Sequence, residues 1–168
     1  FVRDGSQLAI AEMLLGGTTT YSDMYFFPEV AADVAERAGI RAQFVCPILD
    51  FPTIWGSGPE EYIEKTLHLA EQYQESSRIK IGFGPHAPYT VSDEPLKKIA
   101  HLADDYQLPV QIHLHETQQE VDDAIKIHQL RPVERLKQLG LFNTKHSLQC
   151  VHMTALNGCD IDTIATSG

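Results

Sequence analysis

Residues 79–117 read IKIGFGPHAPYTVSDEPLKKIAHLADDYQLPVQIHLHET, and the fold turns on them. Ile79 to Gly84 is a short apolar run with β-branched residues, which predicts a strand. Ser92-Asp93-Glu94 sets a capping hydroxyl and two acids before a stretch running to about Tyr106. That predicts a helix, because such residues satisfy the first free amides and complement the dipole. Pro109 to Leu114 predicts the next strand. Two strands joined by a helical crossover run parallel. Their apolar character on both faces fits strands that helices cover.

The same rhythm extends in both directions. Leu8 to Leu15 predicts a helix closed by Gly16-Gly17, Thr18 to Met24 a strand, and Glu29 to Ala38 a helix closed by Gly39. Ile40 to Pro47 predicts a strand, and Pro59 to Gln74 a helix with proline at its opening. Beyond the quoted stretch, Glu116 to Ile127 and Pro132 to Leu139 predict helices. His146 to Val151 predicts a strand, and Ile161 to Thr166 the start of another helix. Two α/β architectures fit this order: part of a (β/α)8 barrel, or an open doubly wound sheet. Gly82-Phe83-Gly84-Pro85-His86 is not a phosphate loop, since Pro85 removes an amide that a pyrophosphate would need.

Composition narrows the function classes. The chain has 168 residues, 43% hydrophobic and 21% charged, as one globular unit with a core requires. A formal net charge of −10 argues against a nucleic-acid partner. No apolar run approaches the roughly 20 residues that span a bilayer. The first residues do not resemble a signal peptide. Three cysteines, Cys46, Cys150 and Cys159, fit neither a zinc knuckle nor a disulfide framework. Reduced thiols and a cytoplasmic setting are the expectation.

Polar residues gather just past the strands: Asp23 and Tyr25, Asp50, His86, His113 to Glu116, and His152. In parallel α/β folds that edge carries the ligand site. Residues i and i+2 of a strand share a face, so His113 and His115 are candidates for one metal through imidazole nitrogen. Glu116, where strand gives way to helix, is placed to move a proton to or from a metal-activated water. Prolines on both sides stiffen the loop of His86. His68, His101, His128 and His146 are expected at the surface. So are Glu60-Glu61, Asp104-Asp105, and Asp122-Asp123 on the helix of Glu120. Tyr25-Phe26-Phe27 is expected to pack in the core.

Four segments together resemble the amidohydrolase superfamily: Gly17 to Glu29, Gly84-Pro85-His86-Ala87-Pro88-Tyr89-Thr90-Val91-Ser92, His113-Leu114-His115-Glu116-Thr117, and Val151-His152-Met153-Thr154. Their order and spacing resemble the branch of 5-methylthioadenosine/S-adenosylhomocysteine deaminases and related chlorohydrolases. Leu49-Asp50-Phe51-Pro52-Thr53 adds to the likeness with the bacterial deaminases. The resemblance implies a (β/α)8 barrel of which residues 1–168 supply parallel strands two to six with their helices, cut at both ends. It implies one divalent metal, zinc foremost and iron as the alternative, with His113 as a ligand. Glu116 would be the acid/base and touch the substrate. His152 would orient the attacking water, His86 would contact the purine, and Glu29 the ribose hydroxyls. His115 matches no fixed role in the family.

The implied reaction is hydrolytic deamination of an adenosine-type nucleoside to its inosine analogue and ammonia. The absence of an arginine in the loop after Asp50 favours methylthioadenosine over S-adenosylhomocysteine. The family's strand-one His-x-His and strand-eight Asp would lie outside the chain. The fragment alone is therefore expected to bind metal weakly, to be inactive, and to self-associate through open barrel edges. Two rivals stay open: a guanine deaminase or triazine chlorohydrolase of the same branch, and a non-catalytic α/β binding module.

Overall fold

Five strands pair in parallel in the order β1-β2-β3-β4-β5, which is also their order in the chain. The computed structural model describes residues 1–145 and 147–167. Its elements are α1 (Val2–Leu15), β1 (Thr20–Asp23), α2 (Pro28–Ala38), β2 (Arg41–Ile48), α3 (Pro59–Gln72), β3 (Ile79–Pro85), α4 (Asp93–Tyr106), β4 (Val110–Leu114), α5 (Gln118–His128), α6 (Pro132–Gln138), a 3-10 turn at Leu141–Asn143, β5 (Leu148–His152) and α7 (Gly158–Ala165). The expectations placed on His146 lie outside the described residues.

The strand order separates the two architectures that the sequence leaves open. A doubly wound sheet reverses its strand order midway and so receives helices on both faces. Consecutive neighbours joined by crossovers of one hand put every helix on one face, as a barrel requires. Side chains on the other face show that the sheet curls. Ser22 on β1 donates to Gln111 on β4 at 2.7 Å, and Gln43 on β2 donates to Gln149 on β5 at 3.1 Å. Three strand steps across a flat sheet span about 14 Å, too far for a serine to reach a glutamine. The five strands therefore form half of a (β/α)8-type barrel, with a polar layer inside it.

Close strand packing explains two glycines of β3. A Cβ on Gly82 would lie 2.5 Å from the carbonyl of Pro109, and one on Gly84 would lie 2.8 Å from that of Cys46. Between sheet and helices the core holds Phe44, Ile48, Ile79, Phe83, Ile112 and Leu114, packed against Leu69, Leu96, Ile99 and Leu136. Two helix starts differ from the sequence expectation because of their caps. Thr117 accepts the amide of Glu120 at 3.1 Å, so α5 begins at Gln118 and leaves Glu116 outside the helix. Asn157 and Asp160 form a reciprocal capping box, so α7 starts at Gly158 instead of Ile161. No helix among the described residues is long and apolar enough to cross a membrane.

Candidate active site

The sheet register delivers three histidines to adjacent strand ends. His86 follows β3 directly and donates its amide to Ile48 at 3.1 Å, while the amide of His113 on β4 donates to the carbonyl of His86 at 3.0 Å. On β5, His152 lies opposite Leu114. Its left-handed backbone, with φ of 79°, breaks the alternation of the strand and turns its ring onto that of His113. Ring centroids are 5.1 Å apart for His86 and His113 and 5.4 Å apart for His113 and His152. Glu116 joins them: its Oε1 lies 3.6 Å from His152 Nε2.

Hydrogen bonds fix how the rings present themselves. Nδ1 of His113 lies 2.8 Å from the carbonyl oxygen of His86. A carbonyl only accepts, so Nδ1 carries the hydrogen and Nε2 keeps its lone pair for the site. His86 Nδ1 lies 3.0 Å from the Thr90 hydroxyl, which also reaches the carbonyl of Ala87. If the hydroxyl hydrogen points to Nδ1, Nε2 of His86 is a donor; if it points to Ala87, Nε2 is an acceptor. Burial first, and then the neighbouring His113, holds the His86 pKa below the ordinary histidine range, with Glu116 opposing. At the mouth of β1, burial raises the Asp23 carboxyl above its usual range against the Met24 amide.

The pairing of His113 with His115 is corrected. β4 ends at Leu114, and His115 takes a left-handed backbone with φ of 52°, so the period-two rule no longer applies to it. Its ring is fully buried behind the sheet. There Nδ1 donates to Ala155 at 3.0 Å and Nε2 accepts the amide of Val133 at 3.2 Å, which leaves neither nitrogen for a metal. Glu29 also stays apart from the histidines. It sits in the first turn of α2 behind Pro28, and its carboxylate accepts the indole N–H of Trp55 at 3.2 Å.

Other placements follow from the loops. Asp50 accepts the amide of Ser92 at 2.8 Å and so joins the loop after β2 to the one that carries His86. Tyr25 is exposed instead of packed, whereas Phe26 and Phe27 pack against the core. His68, His101 and His128 are exposed as expected. Cys46 is buried, which pushes its thiol up to about 12, while Cys159 is exposed.

Two further residues shape the site without having stood out in the sequence. Glu120, on the helix of the surface pair Asp122-Asp123, is buried and accepts the amides of His115 at 2.9 Å and Glu116 at 2.8 Å. Arg135 is buried and donates to Asp93 at 2.9 Å, to Val91 at 3.2 Å and to Pro88, which ties down the loop after His86. The spacing Thr117-x-x-Glu120 was the available signal for the first, since it is a capping pattern. Nothing in the local sequence marks the second.

Among the described residues, no group of three or more His, Cys, Asp or Glu side chains is placed to hold a metal ion. His113 on its own fits a ligand's part: one nitrogen is pinned to a carbonyl and the other is free, which is how metal-binding histidines are oriented.

Fold and site together define a segment of a (β/α)8-barrel protein with its functional edge at the C-terminal strand ends. The chain belongs to the amidohydrolase family, which it matches over residues 1–167. It is 59% identical over 166 residues to the 5-methylthioadenosine/S-adenosylhomocysteine deaminase of Saccharophagus degradans, a match covering 99% of this chain and 37% of that protein. A zinc-bound crystal structure of an adenosine deaminase from Xanthomonas campestris is 43% identical. It superposes with a TM-score of 0.94 over 99% of this chain and 38% of that one. A guanine deaminase from C. acetobutylicum, 20% identical and with a TM-score of 0.85, shares the fold over 98% of this chain and 42% of its own. The chain thus spans little more than a third of the length of the curated relative it matches.

Proposed function

We propose that the protein carrying this chain is a metal-dependent hydrolytic deaminase of adenosine-type nucleosides. Methylthioadenosine is the favoured substrate, with S-adenosylhomocysteine next. The carrying observation is the convergence of Glu116 with His86, His113 and His152 at one strand edge, with Glu116 3.6 Å from His152. The names of the relatives support the substrate class, and the bound zinc of the Xanthomonas structure supports the metal.

His113 would hold the metal through Nε2, and zinc suits an imidazole donor, with iron as the alternative. When bound, such a metal supplies a water activated near neutral pH. The remaining work falls to side chains. Glu116 would take one proton from that water and pass it to the ring nitrogen beside the carbon that bears the amino group, while the water oxygen bonds to that carbon. The water's second proton would pass by way of Glu116 to the amino nitrogen, and breaking the C–N bond would release ammonia and leave the carbonyl of the inosine analogue. His152, against Glu116, holds the water in line. His86, with the Thr90 hydrogen on its Nδ1, donates from Nε2 to a purine nitrogen. Glu29, bonded to Trp55, would need to turn from that partner to reach a ribose.

The test is Glu116→Gln in the full-length gene product, assayed with methylthioadenosine, S-adenosylhomocysteine, guanine and a chlorotriazine. Turnover of the nucleosides should fall by about 100- to 10,000-fold, as expected when a general acid/base is removed. Unchanged turnover, or activity confined to guanine or the triazine, would refute the proposal.

A further inference from the structure

The sheet does not hold Glu116. The β4–β5 ladder ends at the pair Leu114 and His152. The backbone groups of the next two residues are all taken by other parts of the chain. From α5, the two carboxylate oxygens of Glu120 accept the amides of His115 and Glu116, at 2.9 and 2.8 Å. From the loop after β5, the amides of Thr154 and Ala155 both donate to the carbonyl of His115 at 3.0 Å. The Thr154 hydroxyl reaches that same carbonyl at 3.1 Å and the carbonyl of Glu116 as well.

Glu120 stands in the first turn of α5, and with no ion pair among the described residues its buried carboxylate is held by the amides of His115 and Glu116. Thr154 stands two residues after His152, on the loop whose left-handed residues His152 and Met153 aim that imidazole. One dipeptide is therefore gripped from both sides, and one of the grips is continuous with the second catalytic candidate.

We propose that Glu120 and Thr154 are positioning residues that set the separation of Glu116 from His152. This rests on the role given to Glu116 above. Glu120 fixes the start of the Glu116 side chain, and Thr154 locks the loop of His152 to the same backbone. Neither touches the substrate.

The test uses the full-length, zinc-loaded gene product with methylthioadenosine. Glu120→Gln keeps the shape but turns an amide hydrogen against one backbone N–H. Thr154→Val keeps the shape and removes the hydroxyl. Each should lower kcat by about 10- to 100-fold, the usual scale for groups that orient a site. KM should stay within about threefold, because the loss falls on the reaction step and not on binding. Zinc content and Tm should stay close to the parent's, and Thr154→Ser should recover most of the rate. Glu116→Gln is run alongside. If it is inactive while Glu120→Gln and Thr154→Val turn over normally, the positioning role alone is overturned. If Glu116→Gln itself is active, the reading of the site falls and takes the positioning role with it. A rise in KM that matches the loss of rate, loss of zinc, or a Thr154→Ser enzyme as slow as Thr154→Val would each overturn the proposal. Should Glu120→Gln fail to fold, Thr154→Val and Thr154→Ser decide.

Discussion

Arg135→Met measures how firmly the loop of His86 is tied to the barrel. The Arg135 side chain is only 5% exposed, and its guanidinium donates to the carbonyls of Pro88 and Val91 and to the Asp93 carboxylate. Methionine keeps most of the aliphatic stem, so packing changes little and the loss is mainly polar. Asp93 is 51% exposed, and its pair adds only about 0–1 kcal/mol. The two carbonyls matter more, since hydrogen bonds to a charged donor contribute about 1.5–3 kcal/mol each. Arg135, Pro88 and Val91 also line a groove of about 700 Å³, through which water can reach the carbonyls left behind. That favours the lower end, a loss of about 3 kcal/mol in total. In a domain of more than 250 residues this corresponds to a fall in Tm of about 4–6 °C. Calorimetry on the full-length protein would measure it. The KM for methylthioadenosine should rise as well, since His86 lies two residues before Pro88. Arg135→Lys, which keeps the charge but loses the fork, should recover less than half of the Tm. A methionine variant within 1 °C of the parent would refute the reasoning, and full recovery by lysine would show that charge and not geometry holds the loop.

His115→Phe removes the donor to Ala155 and the acceptor for Val133 in a fully buried setting, at a cost of about 2–4 kcal/mol. Zinc content measured by elemental analysis should nevertheless stay at the parent's level, whereas His113→Ala should lose metal; loss of zinc from a folded His115 variant would overturn its assignment as a non-ligand. Asp160 supplies a pH test. Burial alone would raise its pKa, but the bonds from Arg131 and the Asn157 amide, with His115 nearby, outweigh burial and hold it below the ordinary carboxylate range. A carboxyl depressed in the folded state binds fewer protons than in the unfolded one, so its stabilisation is complete above about pH 5 and fades as pH falls through the unfolded pKa of about 4 and below. The Tm advantage of the parent over Asp160→Asn should therefore shrink between pH 5 and about pH 3, and an advantage that grows on acidification would contradict the sign.

The strands were legible because burial on both faces leaves uninterrupted apolar runs, and the helices because glycines and prolines punctuate them. The closure of the sheet was not legible in that pattern, and only the resemblance of the four segments to the amidohydrolase superfamily pointed to a barrel. A βα unit carries the same pattern in a barrel and in an open sheet, and only the pairing order and the curl distinguish them. In hindsight the curl left a trace in Ser22, Gln43, Gln111 and Gln149, polar residues inside apolar runs that meet across the barrel interior. Each alone reads as an ordinary blemish in a strand; their meaning depends on partners as much as 106 positions away.

The site divides along a similar line. Which strand ends carry it follows from topology, so His86, His113 and His152 could be picked out from their positions after three successive strands. Which way a side chain turns there follows from backbone handedness, and histidine gives no sign of that. A non-glycine residue in the left-handed region costs about 1–2 kcal/mol and is held there by its surroundings. His115, His152 and Met153 all occupy it. The same deviation has opposite effects at two of these positions: it carries the ring of His115 out of the site and brings that of His152 against His113. Those surroundings are in part the grips on the His115-Glu116 backbone, and Glu120, which supplies one of them, looks in sequence like any acid in the first turn of a helix. A carboxylate that only neutralises a helix terminus and one that also holds the backbone of a neighbouring dipeptide carry the same local signature, and they differ only in which amides lie within 3 Å.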